Sequence, residues 1–220
     1  MRPSASMPSP PPVSDPDDHY YVAGYTVDDD PYAEPSGVLK NLYGITSTGE
    51  LAQVEGELAA ARTLVFLERP VTGQFDLAHL QAIHHFLFQD IYEWAGKIRT
   101  VGIGKNDTHF KLPEEITPLA NTLFKWLADN HYFRGLDPSQ FAQKSGELLG
   151  RLNMIHPFRE GNGRTQRMFM TLIARSAGYD INWSGCSKEA MKNACIEAGD
   201  GNFKKIGKII LIGLEPWDEN

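Results

Sequence analysis

His156-Pro157-Phe158-Arg159-Glu160-Gly161-Asn162-Gly163-Arg164-Thr165-Gln166-Arg167 gathers a base, an acid, a pair of glycines and three arginines into one short run. Apolar residues at helical spacing lead into it (Phe141, Leu148, Leu149, Leu152) and others lead out (Met168, Leu172, Ile173). That pattern predicts two helices with the polar run in the turn between them, the second helix running from Gly163 to about Ala177 and stopping at Gly178. A helix N-terminus presents unpaired N–H groups and the positive end of its dipole, so this turn is built to receive an anion. Gly161 and Gly163 carry no Cβ to hold a phosphate off the backbone, and Asn162 tolerates the left-handed conformation of an anion nest. Arg164 and Arg167, three apart, can face the same ligand.

Working outward, Asp137-Pro138-Ser139-Gln140 has the cap, first-turn proline and capping-box residue that open the helix feeding His156. Leu51, Val54, Leu58, Ala61 and Val65 predict a helix from about Thr48, closed by Pro70 and Gly73. Asp76 caps an amphipathic helix carrying Leu77, Leu80, Ile83, Leu87 and Ile91. Its three histidines, His79, His84 and His85, lack further ligands to complete a metal set and read as core or surface residues. From Arg99 to Leu112 the period changes to two around Gly104-Lys105-Asn106-Asp107, a hairpin signal. A lone hairpin is marginal in water, so it must lean on the helices or offer its edge to another chain; a plain connecting hairpin fits the periodicity equally well. Pro113 opens a helix with Ile116, Leu119, Leu123, Trp126 and Leu127 as its stripe, and two shorter helices follow over Ser187 to Ala198 and Asn202 to Leu214. The expected fold is all-α, a helical bundle with one β-hairpin.

The chain has 220 residues, 41% of them apolar, and a formal net charge of −7, which suits one domain and argues against a nucleic-acid surface. Residues 1–35, rich in Pro, Ser and Asp, read as a flexible N-terminal arm, with Tyr20, Tyr21, Tyr25 and Tyr32 as its aromatic exception. The domain then occupies 36–214, with the hairpin at 99–112 and a C-terminal tail at 215–220. No run is apolar and long enough to span a membrane. Cys186 and Cys195 lie outside metal-ligand spacing, and with no leader pattern the expectation is a soluble protein with free thiols in a reducing compartment.

His156, with an ordinary imidazole pKa of about 6.5, can take a proton from a hydroxyl. A histidine that only fills the helix end is the common alternative. Pro157 and Phe158 would hold the ring in place. Glu160 facing a phosphate bare would be repelled, and Mg²⁺, held by one carboxylate with phosphate oxygens and water, resolves the conflict; a salt bridge to Arg159 or Arg164 is the competing reading. No Lys-Ser or Lys-Thr follows Gly163, so the run is not a Walker loop.

At every fixed position, His156 to Arg167 resembles the signature of the Fic family, His-Pro-Phe-x-(Asp/Glu)-Gly-Asn-Gly-Arg-x-x-Arg. The resemblance extends to Ile83-His84, Asp90-Ile91-Tyr92-Glu93-Trp94-Ala95-Gly96, Arg99 and the hairpin, covering about Leu51 to Gly185. It implies transfer of AMP from ATP to a Ser, Thr or Tyr hydroxyl of a target protein, with release of pyrophosphate. His156 would then be the catalytic base and Glu160 the Mg²⁺ ligand. Gly161, Asn162, Gly163, Arg164 and Arg167 would bind the phosphates. The hairpin, through Ile103, Gly104, Lys105, Asn106, Asp107 and Thr108, would be the flap that aligns the target by strand addition. Many members carry an inhibitory helix with the pattern (Ser/Thr)-x-x-x-Glu-(Gly/Asn). Here Glu55-Gly56 is preceded at the required position by Leu51, and Thr46 to Glu50 is followed by Leu51. The resemblance thus points to a cytoplasmic bacterial toxin restrained by a small antitoxin whose Glu reaches Arg167, with type II topoisomerase subunits as targets. A host-directed effector and a catalytically silent nucleotide-binding docking module are the alternatives.

Overall fold

The computed structural model describes residues 21–22, 30–105 and 108–217. In chain order the elements are β1 (Tyr21–Val22), α1 (Thr48–Glu68), α2 (Leu77–Phe88), β2 (Ile103–Lys105), β3 (Thr108–His109), α3 (Pro113–Asp129), α4 (Pro138–Ile155), α5 (Asn162–Ser176), β4 (Tyr179–Ile181), α6 (Lys188–Gly199), α7 (Lys204–Gly213) and β5 (Leu214–Pro216).

α4 runs through the middle, packed against α3, α5, α6 and α7. Asp137 caps it by accepting the Gln140 N–H at 2.9 Å, and Phe141, Leu148, Leu149 and Leu152 are buried as the spacing predicts. Gly146 lets α7 approach to backbone contact, since a Cβ there would lie 2.6 Å from the Gly207 nitrogen. α5 buries Thr165, Met168, Phe169, Leu172 and Ile173 along one face and ends at Gly178, which sits at φ +85°. α2, capped by Asp76, packs on α5 and α1. Phe66, Phe88, Phe133, Phe141, Phe158 and Phe169 are fully buried, each contributing about 1.5–3 kcal/mol of hydrophobic stabilisation.

The helical class and the hairpin are as the sequence predicts, and four details differ. First, the hairpin β2–β3 carries a third strand: β1 pairs antiparallel with β2, Tyr21 opposite Gly104 and Val22 opposite Ile103. Asn106 and Asp107 lie outside the described residues. Second, the buried face of α1 is Leu51, Glu55, Ala59, Thr63 and Phe66, one step round from the expected stripe, and Val65 is exposed.

Third, the N-terminal arm ends earlier than residue 35. Asp30, Tyr32 and Ala33 are buried, Tyr32 packs edge-on against Trp94, and Asp30 pairs with Arg159. Tyr20 and Tyr25 lie outside the described residues. Fourth, the tail expected at 215–220 is folded as far as Trp217. Glu215 and Pro216 pair with β4, the Trp217 N–H donates to the Gly178 carbonyl, and the Arg175 guanidinium lies 4.1 Å from the Trp217 ring centre. Residues 218–220 lie outside the described set. Both segments look like tails in composition because polar residues and prolines dominate them; a few anchoring side chains hold them down.

Candidate active site

The turn from α4 to α5 is braced residue by residue. His156 ends α4 in the left-handed region, at φ 48° and ψ 64°, a conformation that costs energy for a side chain with a Cβ and so needs support. The support comes from both sides. Its Nδ1 bonds the Asn153 carbonyl at 2.9 Å, and the Phe110 ring stacks on the imidazole at 3.7 Å. The Pro157 carbonyl accepts the Arg99 N–H at 2.9 Å. Phe158 stacks on His84 at 3.9 Å.

Asn162 closes the turn on itself, its Oδ1 accepting the Phe158 N–H at 3.0 Å and its Nδ2 donating to the Phe158 carbonyl at 2.7 Å. Asn162 is not itself left-handed; the glycine before it, Gly161, is, at φ 78°. A Cβ on Gly161 would also meet the Phe88 ring at 2.4 Å, so packing as well as conformation demands glycine there. Gly163 is different, since a Cβ would find only the Arg167 Nη1, at 3.7 Å.

His84, expected to be a plain core or surface histidine, holds the same turn. Its Nδ1 accepts the Gly96 N–H at 2.8 Å, so Nε2 carries the proton and donates it to the Glu160 carbonyl at 2.9 Å. His79 and His85 bond the carbonyls of Val71 and Ala95. All three rings of α2 are engaged with backbone.

The charges of the site form one cluster. Arg164 is ion-paired with Glu55 of α1, and its guanidinium lies 4.7 Å from the Phe88 ring centre. The Tyr92 hydroxyl donates to the other oxygen of Glu55, so the carboxylate is held at both ends. Glu160 accepts the Gly161 N–H at 2.8 Å. Burial pushes its carboxyl up to about 7, the Glu55 charge adds to the rise and Arg164 opposes it. Burial likewise pushes the His156 imidazole down to about 3, with the Asn153 bond opposing, which keeps the ring neutral. Arg164 and Arg167 part company: Arg164 turns toward α1 and α2, whereas the charge of Arg167 is felt by the thiols of Cys186 and Cys195, which burial raises and Arg167 partly lowers. Three positions differ by about 60° around a helix, enough for two long side chains to follow different neighbours.

Among the described residues no cluster of three or more His, Cys, Asp and Glu is disposed to hold a metal by protein ligands alone. A cation at Glu160 would therefore be one that takes a single carboxylate and completes its shell with phosphate and water, which fits Mg²⁺. Glu160 is half-buried beside the Glu55 carboxylate, whose charge adds to the rise of its carboxyl, so a nearby positive charge would be favoured there.

Residues 74–174 match the sequence model of the Fic/DOC family. Protein adenylyltransferase VbhT of Bartonella schoenbuchensis is 40% identical over 197 residues, spanning 89% of this chain and 41% of VbhT. The y4lH protein of Sinorhizobium fredii is 38% identical over 181 residues, 81% of this chain and 93% of that protein. The chain belongs to the Fic/DOC family. Its fold matches that of the Bartonella tribocorum BepC protein, solved with bound AMPPNP, at a TM-score of 0.76 and 29% identity, over 82% of this chain and 94% of BepC. The chain spans less than half of VbhT but nearly all of y4lH. Of the residues that brace the turn from elsewhere, Tyr92 and Arg99 lie in the stretch whose resemblance to the family the sequence shows, whereas the roles of Asp30, Glu55 and Phe110 were missed.

Proposed function

We propose that the site transfers AMP from ATP to a hydroxyl side chain of a target protein. VbhT carries the name protein adenylyltransferase, which is a nucleotidyltransferase activity, and BepC holds an ATP analogue in the same fold. The observation that carries the reading is the orientation of His156. With its Nδ1–H donated to Asn153, Nε2 keeps the lone pair, and it does so on the turn that leads into the anion-receiving end of α5.

In the proposed step the target oxygen attacks the α-phosphorus. A new O–P bond forms, the bond from that phosphorus to the pyrophosphate oxygen breaks, and the hydroxyl proton passes to His156 Nε2. Burial makes the ring a weak base at rest; the negative charge of the phosphates raises its proton affinity when the substrates arrive. Gly161, Asn162 and Gly163 would form the cradle for the phosphates, with the Gly161 N–H, bonded to Glu160 in the structure, exchanging that partner, and Arg164 and Arg167 would neutralise the phosphates further along. Glu160 would hold Mg²⁺, which supplies charge neutralisation of the phosphates when bound. The flap, Ile103 to Thr108, would align the target segment by main-chain pairing.

The finer assignments rest on the resemblance of the signature: a bacterial cytoplasmic toxin, a small antitoxin whose Glu approaches Arg167, and type II topoisomerase subunits as targets. Incubation of the chain with labelled ATP, Mg²⁺ and a bacterial lysate should label a protein band, and His156→Ala should remove the label while AMPPNP still binds. Label that survives the substitution would overturn the role of His156. AMPPNP binding with no label in a lysate that another Fic enzyme does label would favour a docking module instead. Mass spectrometry of the band then decides the target.

A further inference from the structure

Arg99 is 1% exposed, and every side-chain bond it makes goes to a backbone carbonyl. Nε donates to His156 at 2.8 Å, Nη1 to Val101 at 2.6 Å, and Nη2 to Lys111 and, at 3.3 Å, to Ile155. A buried cation without a carboxylate is costly unless its donors are all used. Here all three nitrogens donate, through four of the five N–H groups, and two of the four acceptors are the last carbonyls of α4, where the negative end of the helix dipole supplies the missing countercharge. Burial still pulls the guanidinium down to about 10.

The four acceptors belong to two structures that must stay in register. Val101 and Lys111 are the two legs of the flap, just before β2 and just after β3; Ile155 and His156 are the end of α4 and the base itself. Backbone bonds run along the same seam, from Arg99 N–H to the Pro157 carbonyl at 2.9 Å and from Lys111 N–H to the Met154 carbonyl at 3.1 Å. The residue before Lys111 is Phe110, stacked on the His156 ring. None of these bonds reaches Gly161, Asn162 or Gly163.

We propose that Arg99 is a positioning residue that sets the flap against His156, so that it governs transfer to the target while leaving nucleotide binding alone. This rests on the adenylyl-transfer reading for its functional half. A planar fork reaching carbonyls on both sides is something only arginine offers; lysine places its donors at one point and cannot span the seam.

The test uses the full chain and Arg99→Lys, with Arg99→Gln as a second variant. By calorimetry with AMPPNP and Mg²⁺, the affinity should stay within about twofold, and KM for ATP should move as little. Label transferred from ATP to lysate protein should fall roughly 100-fold, since ångström-scale misplacement of reacting groups costs that much. Hydrogen exchange should quicken at residues 101–105, 108–111 and 154–157 and stay unchanged along α5. Equal loss of AMPPNP affinity and transfer, or exchange that quickens throughout the molecule, would make Arg99 merely structural and overturn the proposal; so would unimpaired transfer. If the unsubstituted chain labels nothing, the adenylyl-transfer reading fails by itself. The exchange pattern then still decides whether Arg99 ties the flap to His156.

Discussion

At Glu55 a single carboxylate, 5% exposed, neutralises Arg164 and accepts the Tyr92 hydroxyl. Removing one member of a buried pair strands the other charge away from water. Glu55→Ala should therefore lower the unfolding free energy by about 3–5 kcal/mol, read from urea denaturation, whereas Glu55→Gln, which keeps a hydrogen-bond acceptor, should cost less. Equal stability of the alanine variant and the parent would show that Arg164 finds another partner. The signature itself was legible at this scale because its chemistry is local: a base, an acid and two glycines in consecutive positions need no tertiary information to be read together. Glu55 was not, because its meaning depends on Arg164, 109 residues away in sequence.

At the scale of elements, α2 and the end of α4 each bury a neutral imidazole. Burial pushes both His84 and His156 down to about 3. In the unfolded chain these rings take up a proton near pH 6.5, while the folded ones resist it. Their contribution to stability is complete above about pH 6.5 and declines as pH falls toward 3, by up to ~1.4 kcal/mol per pH unit for each ring. Glu160, pushed up to about 7, binds its proton in the folded chain over the same range and offsets one of the two rings, so urea midpoints should fall between pH 6.5 and 5 with a net slope of up to about 1.4 kcal/mol per pH unit, and a flat profile there would contradict the neutral, buried assignment. The caps show what the sequence conveys well about elements: Asp76, Asp137 and Ser187 each receive a first-turn N–H as their positions imply. α1 shows what it conveys badly. Apolar residues lie on more than one side of that helix, so the spacing predicts a face with Val54 and Val65, one step from the buried one that holds Glu55. The strand β5 was hidden for a related reason, since its pairing with β4 is decided by a partner 35 positions earlier, Ile181↔Leu214 being offset by 33 and Tyr179↔Pro216 by 37.

Across the whole molecule, Asp30 and Arg159 join the start of the folded domain to the centre of the signature turn, both nearly buried, with Nη2 to Oδ2 at 2.9 Å. Asp30→Ala removes the buried carboxylate that Arg159 Nε and Nη2 bond and should cost about 1–3 kcal/mol, with early proteolytic cleavage in residues 30–45 as the independent readout. If stability and cleavage are unchanged, the segment is held by Tyr32, Val38 and Leu39 alone. Composition could not reveal this anchor, because an aspartate in a Pro- and Asp-rich stretch looks the same whether solvated or paired. Just upstream of that anchor, Tyr21–Val22 occupies the outer edge of β2, on the flap proposed to receive the target. A peptide seeking that edge meets a competitor on the same polypeptide, joined to Asp30 through residues 23–29. A short covalent tether gives effective concentrations on the order of millimolar. Pairing at that edge is therefore an exchange of one strand for another, and a visiting chain that binds it must outbid a resident whose concentration never dilutes.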